Sequence, residues 1–340
     1  MNHHAIFGSV ALACASLLST AALAADCGPL KLLSTIKMTP ANNDPGEVRL
    51  IPVTVNDQPK TFQFDTGGAM TQISRKAAED LKLDIINSNI QMYDVNGNIS
   101  RKAAVADKLV VGRMAFSRVT MPVTTFEGID GLISSNMLVN YDIDLDFPNN
   151  TMNYISRDHC PGSVMYWKAD AIGVAPMRLV DNTRLTVKVT LDGQTFDAFI
   201  DTGATKSVLS EKVAKYFFHI PLGASGDKLV DNINGDKSIK AYVHYFSKLT
   251  FGGVAIDNPQ VVILEDRVNR NGDKAQQTGN RALSNNADIV LPNMVIGMNM
   301  LKDLHVYIAF GENRLYLTQT KTPATAAGPA DATAAAAVKP

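Results

Sequence analysis

Two stretches of the chain alternate apolar and polar residues and then enter the same triplet, TFQFDTGGAMTQIS at 61–74 and DAFIDTGATKSVLS at 197–210. Alternation with a period of two predicts a strand with one buried face, and a glycine just beyond it predicts a sharp turn. After each triplet a serine, Ser74 or Ser210, precedes a helical pattern, SRKAAEDLKL or SEKVAKYFFH, where a hydroxyl side chain favours the N-cap. The triplets lie 201 − 65 = 136 residues apart, and the same offset brings Ile73 onto Leu209 and Ser74 onto Ser210. Strand, turn, short strand and capped helix therefore recur in one order.

Each copy continues into a polar turn between strand-like runs, Asn96-Gly97 in MYDVNGNIS and Asn234-Gly235 in VDNINGDKS. Asn-Gly signals a hairpin because both residues accept positive φ. The copies close on NMLVNYDIDLDFPNNTMNYI and NMLKDLHVYIAFGENRLYL, which align without a gap from Asn136 and Asn299 and place Phe147 on Phe310 and Asn150 on Asn313. This second offset is 299 − 136 = 163, so the second copy carries 163 − 136 = 27 additional residues, for which the polar stretch 265–288 is the candidate. A loop of that length inside a compact domain is usually functional or disordered. Short strands, two brief helices and Asn-Gly or Gly-Gly turns predict a mainly β fold. Two tandem copies of one unit predict a pseudo-two-fold pair, with equivalent residues face to face.

At 340 residues and 46% hydrophobic content the chain can build cores for two domains of ordinary size. Its 32 basic and 33 acidic residues leave a formal net charge of -1, which offers no broad attraction to phosphate backbones or anionic lipid, so no nucleic-acid partner is expected. Residues 5–24 are a continuous apolar and small-residue run ending in Ala22-Leu23-Ala24, the small-x-small pattern that signal peptidase reads. Residues 1–24 are thus expected to be a signal peptide, giving a periplasmic or secreted protein with no membrane attachment after cleavage; an uncleaved anchor is the other reading. Loss of Cys14 with the leader leaves Cys27 and Cys160, which either form a disulfide tying the N-terminus to the interdomain linker or stay as two thiols. The expected division is an N-terminal segment at 25–46, a first lobe at 47–158, a linker at 159–171, a second lobe at 172–320 and a disordered Ala, Thr and Pro tail at 321–340.

Facing triplets have a chemistry of their own. Asp65 and Asp201 fall at strand ends, and Thr66 and Thr202 are placed to hydrogen-bond across to the partner loop. Two carboxyls within about 3 Å cannot both ionise and share one proton. One then acts as a base on a water while the other, as an acid, protonates the carbonyl under attack. No metal, cofactor or covalent intermediate is required. His159, His219, His244 and His305 are scattered, with no His-Glu-x-x-His or Cys-x-x-Cys pattern. Asp and Gly are also ordinary turn residues, but two copies in register with a repeat weigh against a turn and nothing more.

On FDTGG at 64–68, IDTGA at 200–204 and VIGMNML at 295–301, the chain resembles the retropepsin-like (retroviral-type) aspartic proteases, in an exported single-chain bacterial form. The likeness covers about 47–156 and 172–318. It implies a bilobal aspartic-protease fold of two tandem retropepsin-like β-barrel lobes with pseudo-two-fold symmetry. It also implies an aspartic-type endopeptidase acting on a polypeptide substrate, as a monomer that works as a pseudo-dimer. Asp65 and Asp201 would be catalytic, with loop support from Thr66, Gly67, Thr202 and Gly203, and the hairpins of Asn96, Gly97, Asn234 and Gly235 would be flaps over the cleft. Tyr93 is a candidate substrate contact in the first flap, equally readable as a surface or sheet-packing tyrosine, and Val230 and Asp231 occupy the comparable place in the second. Two departures stand out: Ser134 replaces the glycine expected in GLISSNML, and Gly68 and Ala204 lack the hydroxyl seen after the triplet in pepsin-type enzymes. Two other functions fit the same fold, a peptide- or cell-wall-binding protein without turnover and a hydrolase of a non-protein amide.

Overall fold

A computed structural model describes residues 27–93, 99–180, 182–230, 240–266, 281–283 and 293–319. In the first lobe the strands Arg49–Val55, Gln58–Asp65, Gly131–Ser134, Gln72–Ser74, Met114–Thr124 and Ile99–Val111 pair in that order. The last returns to the first, with Val53, Thr54 and Val55 opposite Val111, Val110 and Leu109, so the ladder closes as a six-stranded barrel. Closure pairs the backbone of both strands that would otherwise form the sheet edges. Inside, the alternation of the Asp-bearing strand does what its sequence requires: Phe62 and Phe64 are fully buried, while Thr61 between the turn and the core is exposed.

The second lobe repeats this ladder, and the repeat can be followed pair by pair. Ile51 opposite Phe62 becomes Val187 opposite Ala198, both shifted by 136. Phe64 beside Ile133 becomes Ile200 beside Ile296, the partner shifted by 296 − 133 = 163. Ile73 beside Val123 becomes Leu209 beside Ile263, shifted by 263 − 123 = 140. Hence 163 − 140 = 23 of the additional residues lie between the strands Gln260–Leu264 and Met294–Ile296, and 140 − 136 = 4 lie before them. Where the first lobe uses the long strands Ile99–Val111 and Met114–Thr124, the second breaks each in two, as Ala241–Tyr245 with Lys248–Phe251 and Val254–Asp257 with Gln260–Leu264. Leu249 opposite Leu191 nevertheless makes the closing contact equivalent to Leu109 opposite Val55. From within the additional residues, Arg281–Leu283 pairs antiparallel with Gln91–Tyr93 of the first lobe.

A shared sheet joins the lobes in the order Leu32–Lys37, Thr151–Ile155, Asp142–Asp146, Leu304–Ala309, Arg314–Gln319 and Gly173–Val180. At its centre Asp144 lies opposite Tyr307, and 307 − 144 = 163, the offset of the repeat itself. The neighbouring pairs Ile143 with Ile308 and Leu145 with Val306 exchange under the same shift, so the pseudo-two-fold axis passes through the Asp144–Tyr307 pair. Cys27 and Cys160 form a disulfide with 4.7 Å between Cα atoms, pinning the segment before Leu32–Lys37 to the linker across 133 residues of chain. A cross-link closing so long a loop contributes about 2–4 kcal/mol.

The helices are short. Ser74 Oγ accepts from the Ala77 amide at 2.9 Å to start Arg75–Asp80, and Ser210 Oγ accepts from the Val213 amide at 3.2 Å to start Glu211–Phe218. A third helix, Met298–Leu301, goes beyond the two that the pattern predicts, because four residues are too few to display a helical period. Tertiary bonds nucleate it: the Met298 and Asn299 amides donate to the Ala204 and Thr205 carbonyls at 2.8 and 3.0 Å.

Candidate active site

Asp65 ends its strand beside Ser134, and Asp201 follows its own, donating its amide to the Ile296 carbonyl at 3.0 Å. Each triplet then folds its backbone under its own carboxylate. The amides of Gly67 and Gly68 both donate to Asp65 Oδ1 at 2.9 Å, and the Gly203 amide donates to Asp201 Oδ1 at 2.8 Å.

The threonines join the two turns. Thr66 N–H donates to Thr202 Oγ1 at 3.0 Å, and Thr202 N–H donates to Thr66 Oγ1 at 3.1 Å. Their hydroxyls pass the bonds on, Thr66 Oγ1 to the Ile200 carbonyl at 2.8 Å and Thr202 Oγ1 to the Phe64 carbonyl at 3.0 Å. Both threonines are buried, so water cannot replace these bonds and the two turns are held as one unit.

The third position of the triplet has a steric reason. A Cβ at Gly67 would lie 2.3 Å from Asp201 Cγ, and one at Gly203 would lie 2.5 Å from Asp65 Oδ1. Each backbone thus passes against the opposite carboxyl, where only glycine fits. Asp65 and Asp201 are 4% and 6% exposed. Burial pushes the Asp65 carboxyl well above the ordinary carboxylate range, the charge of Asp201 and a hydrogen bond to it push the same way, and the Gly68 and Gly67 amides oppose them. Burial also raises Asp201, but the Gly203 amide, the hydrogen bond from Asp65 and the Ala204 and Gly67 amides pull it back. Burial thus raises both carboxyls, and the pair holds one shared proton between them.

Behind each turn stands a brace that motif reading did not single out. Asn136 Oδ1 accepts from the Thr71 amide at 2.8 Å and the Thr71 hydroxyl at 2.9 Å; Asn299 Oδ1 accepts from the Ser207 amide and hydroxyl, both at 2.7 Å. The Thr71 hydroxyl also receives the Ser134 amide at 3.1 Å, and the Ser207 hydroxyl receives the Gly297 amide at 2.9 Å. A signal for these residues exists in the sequence: a hydroxyl recurs at offset 207 − 71 = 136 and an asparagine at 299 − 136 = 163.

The other candidate residues are placed less completely. Tyr93 is the last residue of the strand Asp84–Tyr93, opposite Ile99 on one side and Arg281 on the other. Asn96, Gly97, Asn234 and Gly235 lie outside the described residues. The strands leading to the second hairpin are paired, Leu229 opposite Tyr242, and the Val230 amide donates to the Ala241 carbonyl at 2.8 Å. His159 and His305 belong to the shared sheet and its linker rather than to the dyad, bonded to Asp142 at 2.7 Å and Asp144 at 2.5 Å.

The aspartyl protease family model matches residues 51–137 and 187–300, one match in each lobe and each containing a triplet. No curated protein matches the chain.

Proposed function

The chain belongs to the aspartyl protease family, and from that premise we propose that it is a single-chain endopeptidase cleaving extended polypeptides by water attack between Asp65 and Asp201. The observation that carries the reading is the reciprocal threonine lock, which holds two buried carboxyls, both of raised proton affinity, against each other. The ionised member of the pair takes a proton from the water as its oxygen attacks the scissile carbonyl carbon, while the protonated member gives its proton to the carbonyl oxygen. As the tetrahedral intermediate collapses, the first returns a proton to the leaving nitrogen and the second recovers one from the gem-diol. Both carboxyls come from one chain, so the reading is of a monomer acting as its own pseudo-dimer. Export to the periplasm or medium belongs to the same proposal, and the Cys27–Cys160 bond supports an oxidising compartment.

Asp65→Asn and Asp201→Asn, assayed separately on a proteome-derived peptide library, should each lower cleavage by at least about a hundredfold without loss of cooperative unfolding. Activity surviving in either variant ends the dyad mechanism. Tight binding of a statine-type inhibitor with no peptide turned over identifies a binding protein instead. One shared proton also predicts a bell-shaped profile of kcat/KM against pH, its basic limb above the ordinary carboxylate range because Asp65 is raised.

A further inference from the structure

Ser134 is fully buried, and its hydroxyl has no hydrogen-bond partner. An orphaned donor inside a protein calls for an explanation. It lies beside Asp65 in the parallel ladder. A Cβ placed at Gly68 would sit 2.4 Å from Ser134 Oγ and 2.8 Å from Asp65 Oδ2, so the hydroxyl and that carboxyl oxygen converge on the one spot that Gly68 leaves open. The Gly67 and Gly68 amides both go to Oδ1 of Asp65, leaving Oδ2 for a different donor. In the second lobe the equivalent residue is Gly297, where a Cβ would strike the Lys206 and Ala204 carbonyl oxygens at 2.6 and 2.7 Å. A hydroxyl at this position therefore stands beside one carboxyl of the pair only.

We propose that Ser134 is a positioning residue for the reaction, its hydroxyl donating to Asp65 Oδ2 from the neighbouring strand in the working enzyme. This rests on the dyad proposed above and assigns a role to a departure from the family pattern. The donor fixes the plane of the Asp65 carboxyl and favours its ionised form whenever Asp65 is the member without the proton. Burial is the largest influence on Asp65, Asp201 is the titratable group acting on it from the opposite turn, and the Gly68 and Gly67 amides oppose both, so Ser134 adjusts a balance with few members.

The test compares wild type with Ser134→Ala and Ser134→Gly, which remove the hydroxyl, and with Ser134→Thr, which keeps it. Ser134→Ala and Ser134→Gly should each raise the basic limb of the kcat/KM profile by about half to one pH unit, and Ser134→Thr should keep the wild-type limb. Carbon-13 NMR titration of the Asp65 carboxyl should show the same displacement without turnover. An Asp65 that titrates in Ser134→Ala as it does in wild type overturns the inference, as does a Ser134→Thr variant with the alanine profile. Should Ser134→Ala fail to fold, Ser134→Gly carries the test, because glycine is the residue that the second lobe has at the equivalent Gly297. Absence of cleavage by wild type would sink the protease reading and leave the titration comparison standing.

Discussion

Thr66 and Thr202 each bond to the opposite lobe through both amide and hydroxyl, so the distance between Asp65 and Asp201 is set by four hydrogen bonds rather than by loop packing. Thr66→Val keeps the shape and removes the hydroxyl, stranding the Thr202 amide and the Ile200 carbonyl in a buried site. At about 1–3 kcal/mol for each group left unsatisfied, the variant should lose about 2–4 kcal/mol in urea unfolding, with Thr66→Ser retaining most of it. That the hydroxyls reach across could be read from the triplet once two copies were known. That both carboxyls are raised could not, because it depends on their burial set against the amides each receives, and these are distances rather than residue types.

Elements carry the braces. Asn136 joins the 3-10 turn Ser135–Met137 to Thr71 just after the first triplet, and Asn299 joins the helix Met298–Leu301 to Ser207 just after the second. Asn136→Ala strips the acceptor from two buried donors and frees the turn that aims Asp65. It should cost about 2 kcal/mol and lower kcat about tenfold, since a carboxyl displaced from its productive geometry loses rate. Ser74→Ala is the control: losing an N-cap costs about 1 kcal/mol in the same unfolding assay and should leave kcat unchanged. Strand identity and capping were legible because a two-residue period and a serine before a helix are local. The broken strands of the second lobe and its third helix were not, since pairing across the barrel decides where a strand stops and tertiary amides start that helix.

At the scale of the molecule, the shared sheet makes one body of two copies, and titratable groups sit within it. His159, on the linker beside Cys160, bonds Asp142, and the hydroxyl of Tyr307 from the second lobe bonds the same carboxylate at 3.2 Å. Burial by itself lowers the His159 pKa, but the Asp142 hydrogen bond, the Cys160 carbonyl and the Asp142 charge together raise it above the ordinary 6.5. A histidine raised on folding contributes stability in full below its unfolded pKa and loses that contribution as pH climbs through the folded value. The thermal midpoint should therefore fall as pH rises from about 6.5, and His159→Gln should flatten that fall; an unchanged slope in the variant would remove His159 from the account. The chain by itself determined the repeat, its two offsets, the strand period and the paired triplets, all of which are relations between neighbours or between identical words. Only the tertiary structure decided that Asp65 meets Asp201, that Ser134 stands beside Asp65, and that Asp144 and Tyr307 mark the axis. Those are contacts between residues a hundred or more positions apart or on separate strands, and they exist only once every ladder has taken its register.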